Sequence, residues 1–215
     1  MKFPGRRLRT ALAACLVVAA TAFSLAEFAN AGELAGKVSR IRGVAAADRA
    51  GAHVTLAEGA VVYTEDVLTT GEDGRLEITL EDDTKLTLGA NANLTIDTFV
   101  FEPEASKGTA LLTVVKGAFR FTTGKLSGMA DKKVEVKTVF ANLAVRGTDF
   151  WGGPLNNQYG VLVLKGKVEV ANEKGKVLID QPMHGADVAA IGAKPEAPKA
   201  WPEAKRDKAL ASVNF

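Results

Sequence analysis

In "RLEITLEDDTKLTL", residues 75 to 88, apolar residues recur at every second position on either side of a polar turn. Leu76, Ile78 and Leu80 alternate with Arg75, Glu77, Thr79 and Glu81, and Leu86 and Leu88 resume the alternation after Asp82, Asp83 and Thr84. Successive side chains of an extended chain point to opposite faces, so this pattern spells two strands with one buried face. "GANANLTI" repeats the logic with Leu94 and Ile96 inward, and Val168 and Val170 alternate with Lys167 and Glu169 before "ANEKG" turns into "KVLID". From Leu34 to Val188 no stretch carries the 3.6-residue period of an amphipathic helix. The chain is predicted to be all-β, with short strands in a rolled, solenoid-like arrangement or in a sandwich. Spacing alone leaves both open.

Three short segments echo one another: "IRGVAAA" from Ile41, "VKGAFRF" from Val115 and "LKGKVEV" from Leu164. In each, an apolar residue and a cation precede a glycine, the residue suited to a corner or a positive φ. The tail differs. Four of the seven prolines (182, 195, 198 and 202) lie in or just before it, and alanine and alternating charge fill the rest. Residues 193–202 are predicted to be an extended linker, and "PEAKRDKALAS" a short helix with Pro202 at its start. Its apolar face (Ala204, Ala209, Leu210 and Val213) is thin, so the helix either frays or docks through Trp201 and Phe215.

The N-terminus reads as a targeting signal. Lys2, Arg6, Arg7 and Arg9 precede the apolar "TALAACLVVAATAFSLA", which is short for a membrane span, and Ala29-Asn30-Ala31 has the small-residue spacing of a cleavage site. This predicts a signal peptide over residues 1–31 and a periplasmic or secreted mature chain without a membrane span. The alternative, a lipoprotein anchored at Cys15, is disfavoured because the strongest apolar run follows that cysteine. Of the 27 basic and 25 acidic residues, four and one fall before Gly32, which leaves 23 against 24 and a net charge of −1. The basic character thus resides in the leader, and no nucleic-acid partner is implied. Cys15 is the single cysteine, so the mature chain has no disulfide and no thiolate chemistry.

Catalytic and metal constellations are not evident, and no cofactor is predicted. His53 and His184 stand far apart, and "GEDG" and "EDDT" concentrate carboxylates where tight turns ordinarily use them, with the charges expected to cover the solvated tips of those turns. The densest polar group is "VFANLAVRGTDFW", where Arg146, Gly147, Thr148 and Asp149 precede Phe150 and Trp151. It reads as a structural corner. Val145 ends a strand, Gly147 turns, Arg146 pairs with Asp149 or caps carbonyls, and Phe150 enters the core. "WGGPLNNQYG" reads as a flexible loop presenting Trp151 and Tyr159 as candidate partner contacts.

These segments, in this order, resemble the FecR domain family. "LTTG" (68–71), "EDDT" with Asp83 at a position the family gives to glycine, and "LAVRGTDF" (143–150) carry the resemblance, which extends from Gly36 to Val188. It implies an all-β extracytoplasmic domain over residues 32–190, followed by a linker and short helix over 191–215. It also implies a non-enzymatic role in envelope signalling or scaffolding through protein–protein contacts, with a membrane sensor or receptor as partner. Only nine residues precede the apolar run, so the cytoplasmic segment of the sigma-factor regulators in that family is not expected here. A glycan- or cell-wall-binding module using Trp151 and Tyr159 is the alternative, and an enzyme built on carboxylate pairs a more distant one.

Overall fold

The computed structural model describes residues 32–215; the predicted signal peptide and Cys15 lie outside them. The first strands are β1 (Leu34–Arg42), β2 (Ala45–Arg49), β3 (Ala52–Thr55), β4 (Val61–Tyr63) and β5 (Val67–Thr70). Next come β6 (Arg75–Leu80), β7 (Lys85–Leu88), β8 (Asn93–Glu102), β9 (Lys107–Lys116) and β10 (Phe119–Thr122). The last are β11 (Asp131–Thr138), β12 (Asn142–Leu155), β13 (Gln158–Asn172), β14 (Gly175–Ile179), β15 (His184–Val188) and β16 (Lys199–Ala200), before helix α1 (Glu203–Ala211). All sixteen strands belong to one sheet, ordered β3-β2-β5-β8-β9-β11-β12-β10-β7-β6-β1-β4, with β13 carrying β14 and β15 off β12. The sheet curls around the main core, so the chain is all-β and rolled.

The alternation that predicts the strands also places the core. Leu76, Ile78, Leu86, Leu88, Leu94 and Ile96 are fully buried, and Leu76 pairs with Leu88 and Ile78 with Leu86 across the β6–β7 hairpin. The curled sheet is not antiparallel throughout, because β9 and β11 run parallel from Asp131↔Lys107 to Thr138↔Val114. The three echoing segments share a backbone feature, since Gly43, Gly117 and Gly166 all have φ between +66° and +88°.

β12 and β13 form a long hairpin that organises the second half of the fold. Their connection is the two-residue turn Asn156-Asn157, with φ of 52° and 63°, the left-handed pair that a tight hairpin requires. "WGGPLNNQYG" is therefore not a flexible loop but the paired end of this hairpin. Both strands change parity midway. Leu143 and Val145 face the core on β12 before the break and Phe150 after it; on β13 these are Val168 and Val170, then Val161 and Val163. One half of the hairpin pairs with β11 and β14, the other with β10 and β15.

On that second half, both faces are covered. Phe150, Val161 and Val163 face the main core, while Trp151, Leu155 and Leu162 face outward into a second apolar cluster with Trp201, Ala209 and Val213. This explains the unbroken apolar run "GVLVL", since a strand buried on both sides has no solvent face to mark with polar residues. The C-terminal segment is docked rather than free. Trp201 lies against Gly160 and Gly185, where an added Cβ would stand 2.6 and 2.4 Å from its ring, and Ser212 Oγ accepts a hydrogen bond from Trp151 Nε1 at 3.0 Å. Phe215 lies under the Arg40 guanidinium at 4.1 Å.

Candidate interaction surface

The signature turn sits at the parity break of the β12–β13 hairpin. Gly147 and Thr148 on β12 oppose Gly166 alone, and a compensating offset follows between Asp149 and Phe150. Gly147 has φ +60°, and a Cβ on Gly166 would stand 2.3 Å from the Gly147 carbonyl oxygen, so two glycines meet back to back at the bulge. The strand does not end at Val145, as the sequence suggests; it continues through the bend. Thr148 fastens it. Its hydroxyl donates to Lys167 O at 2.8 Å, and its backbone N–H donates to Thr123 Oγ1 at 3.1 Å. Phe150 is fully buried, between Phe119 and Phe121.

Asp149 does not pair with Arg146. Its carboxylate accepts two hydrogen bonds from Arg120, at 2.9 and 2.7 Å, and one from Thr122 Oγ1 at 3.2 Å. Those bonds to Asp149 hold the Arg120 guanidinium above its ordinary pKa, against the opposing effect of burial. Arg146 instead projects from the sheet, exposed and with no ion-pair partner among the described residues. The parity change is the cause, because it puts positions 146 and 149 on either side of a bend.

The predicted contact aromatics are buried. Trp151 has 0% and Tyr159 4% of its surface exposed, so neither ring offers a platform to a partner. Trp151 is covered by Trp201 and the α1 segment, and Tyr159 is stacked on Phe140 at 4.7 Å. Burial pushes the Tyr159 phenol well above its ordinary pKa. Its hydroxyl makes no hydrogen bond to any other described residue.

The other signature pieces are also structural. In "LTTG", Leu68 is fully buried, and Thr70 Oγ1 donates to Gly89 O at 2.7 Å while accepting from Ala92 N at 2.9 Å. In "EDDT" Glu81 and Asp83 are solvated, and Asp83 is held at φ +66° and paired with Lys125 at 2.7 Å. Asp82 is fully buried. It accepts from Thr84 N, Thr84 Oγ1 and Leu126 N at 3.0, 2.8 and 3.1 Å, tying the β6–β7 turn to the 3-10 turn Lys125–Gly128. The expectation that charges in this turn face water is thus corrected for Asp82.

The remaining buried acids are likewise engaged. Asp66, fully buried, accepts from Arg49 at 2.7 and 2.8 Å and from Tyr63 N at 2.9 Å, and this pairing raises the Arg49 pKa. Asp187 accepts from Lys205 at 2.5 Å. Among the described residues no group of three or more His, Cys, Asp or Glu could hold a metal ion, and no helix is long and apolar enough to cross a membrane.

Two features beside the hairpin remain open to solvent. One is an apolar rim where Val139, Val115 and Ile191 are 46%, 53% and 70% exposed beside Phe140. The other is a groove lined by Ser127, Lys132, Lys133, Arg146 and Gly147, with Lys167 directly opposite Arg146 on β13. The lysines of this group escape notice in the sequence, because only the strand register brings positions 133, 146 and 167 together.

Residues 66–169 match the family model described as FecR protein. "LTTG" and "LAVRGTDF" both lie inside that span. Two crystal structures from Parabacteroides distasonis, each described as a "putative anti-sigma factor", have a similar fold. One has 20% identity and a TM-score of 0.54, over 67% of this chain and 63% of that one. The other has 19% identity and a TM-score of 0.53, over 67% and 64%. The chain thus covers just under two thirds of the solved structures it matches. No curated protein matches it. The segment that builds the bent hairpin and its signature turn, residues 66–169, is a FecR domain.

Proposed function

We propose that this is an exported, non-enzymatic FecR-domain protein that takes part in envelope signalling or scaffolding by binding another envelope protein, such as a membrane sensor or receptor. The FecR domain over residues 66–169 is the observation that carries this reading. The description of the two similar structures as an anti-sigma factor agrees with a regulatory role. The geometry is consistent with it, because the buried carboxylates Asp66, Asp82 and Asp187 are held in structural hydrogen bonds on separate parts of the sheet. A glycan-binding role lacks its structural motive, since Trp151 and Tyr159 are buried.

Export rests on the basic, apolar and small-residue order of residues 1–31. Chemical crosslinking in intact cells, followed by mass spectrometry, is expected to recover one specific envelope protein. N-terminal sequencing of the mature protein is expected to begin at Gly32. Recovery of no specific protein, or an uncleaved cytoplasmic chain, contradicts the reading.

A further inference from the structure

On the outer face of the bend, Arg146 and Lys167 are directly paired across β12 and β13 and both are exposed. On β11, Glu135 pairs with Ala144; Lys133 is the next residue on that face, as Arg146 is the next after Ala144, and both line the same groove. Three cations therefore stand in a row across three neighbouring strands. Like charges placed directly opposite in a sheet are destabilising. Lys133 is relieved by Glu135 at 3.2 Å, but Arg146 and Lys167 have no ion-pair partner among the described residues. Lys132 is spent differently, donating to Ser127 O at 2.6 Å and Met129 O at 3.0 Å, which shapes the groove wall.

We propose that this groove binds an acidic face of a helical segment from a protein partner, with Arg146 and Lys167 as the central cations. Charge complementarity selects an acidic partner, and spacing selects its form. Adjacent strands lie about 4.8 Å apart, and side chains three or four apart on a helix stand about 5–6 Å apart, whereas same-face side chains of an extended peptide are roughly 6.8 Å apart. A flat anionic membrane fits worse, because Glu135 and Glu169 occupy the next positions on the same face and would approach its headgroups. The proposal rests on the protein-contact reading above and names the chemistry of the partner.

The test uses the mature chain and a fluorescent alanine-rich helical peptide with glutamates at i, i+4 and i+7, compared with a peptide of the same composition whose glutamates are spread around the helix. Anisotropy is expected to show tighter binding of the striped peptide, weakened about tenfold by raising salt from about 0.05 to 0.5 M. The pair Arg146→Glu and Lys167→Glu is expected to weaken it by about tenfold or more and to accept a lysine-striped peptide instead. Arg146→Gln alone should weaken binding without changing the melting temperature, which keeps the test valid if the double reversal unfolds. Equal binding of the two glutamate peptides, or unchanged affinity in the variants, overturns the proposal. So does binding only to phosphatidylglycerol vesicles. Failure here alongside a crosslinked envelope protein removes this groove and leaves the protein-contact reading standing.

Discussion

Arg120 holds Asp149 with two hydrogen bonds, at 2.9 and 2.7 Å, across the junction of β10 and β12. The pair stands where the bent hairpin turns onto β10, and it leaves Arg146, three residues from Asp149 in sequence, without a structural task. Asp149→Ala should therefore lower stability by about 1–2 kcal/mol, since it strips a half-buried guanidinium and Thr122 of their acceptor. Arg146→Ala should change it by less than about 0.5 kcal/mol. Chemical denaturation of both variants checks the order, and a larger loss for Arg146→Ala would contradict it.

Gly147 adopts φ +60°, which a β-branched residue reaches only under strain. Gly147→Val should cost about 2–3 kcal/mol, while Gly147→Asn, which tolerates the left-handed region, should cost markedly less. Equal melting temperatures for the two variants would rule out backbone strain as the cause.

Much of this bend is legible in the sequence. Inward residues recur at every second position along each strand, but Val145 and Phe150 are five apart, and so are Val163 and Val168. An odd gap in a period-two pattern marks a bulge, and the glycines at 147 and 166 show where. The misreadings have physical causes too. "WGGP" resembles a loop because glycine and proline punctuate chains, yet Gly152 and Gly153 are there because the Phe119 ring and Ala118 approach within 2.8 and 2.7 Å of where a Cβ would sit. Trp151 looks exposed for want of a visible cover, which lies fifty residues on at Trp201. Likewise Asp82 and Asp83 are adjacent acids in one turn, and the hydrogen bonds that Thr84 and the distant Leu126 N–H donate to Asp82 separate the structural one from the solvated one.

Asp82→Ala should destabilise the domain by about 2–4 kcal/mol, because the Thr84 and Leu126 N–H groups lose their buried acceptor. Asp82→Asn keeps an acceptor and should lose less. Asp83→Ala removes only an exposed pair with Lys125, so its charge contribution is small, and any loss comes from its positive φ. Thermal melts of the three variants check this ranking.

Tyr159 gives the fold an alkaline limit. Its folded pKa is raised by burial above the ordinary 10.0, so the folded state keeps the proton that the unfolded state releases. The associated stability is complete below about pH 10 and falls above it, at up to about 1.4 kcal/mol per pH unit. Tyr159→Phe should remove that slope and, because the hydroxyl has no hydrogen bond among the described residues, leave stability at pH 7 unchanged or slightly higher. Denaturation at pH 7 and above pH 10 checks both parts.

The central claim is that the FecR domain acts by contact, through the half of the hairpin that α1 leaves open. A photo-crosslinking amino acid placed in living cells at Ala144, exposed beside the cation row, should yield one discrete adduct with an envelope protein. The same probe at Thr55, exposed on β3, should yield none. No adduct at Ala144, or the same adducts at both positions, would contradict the account.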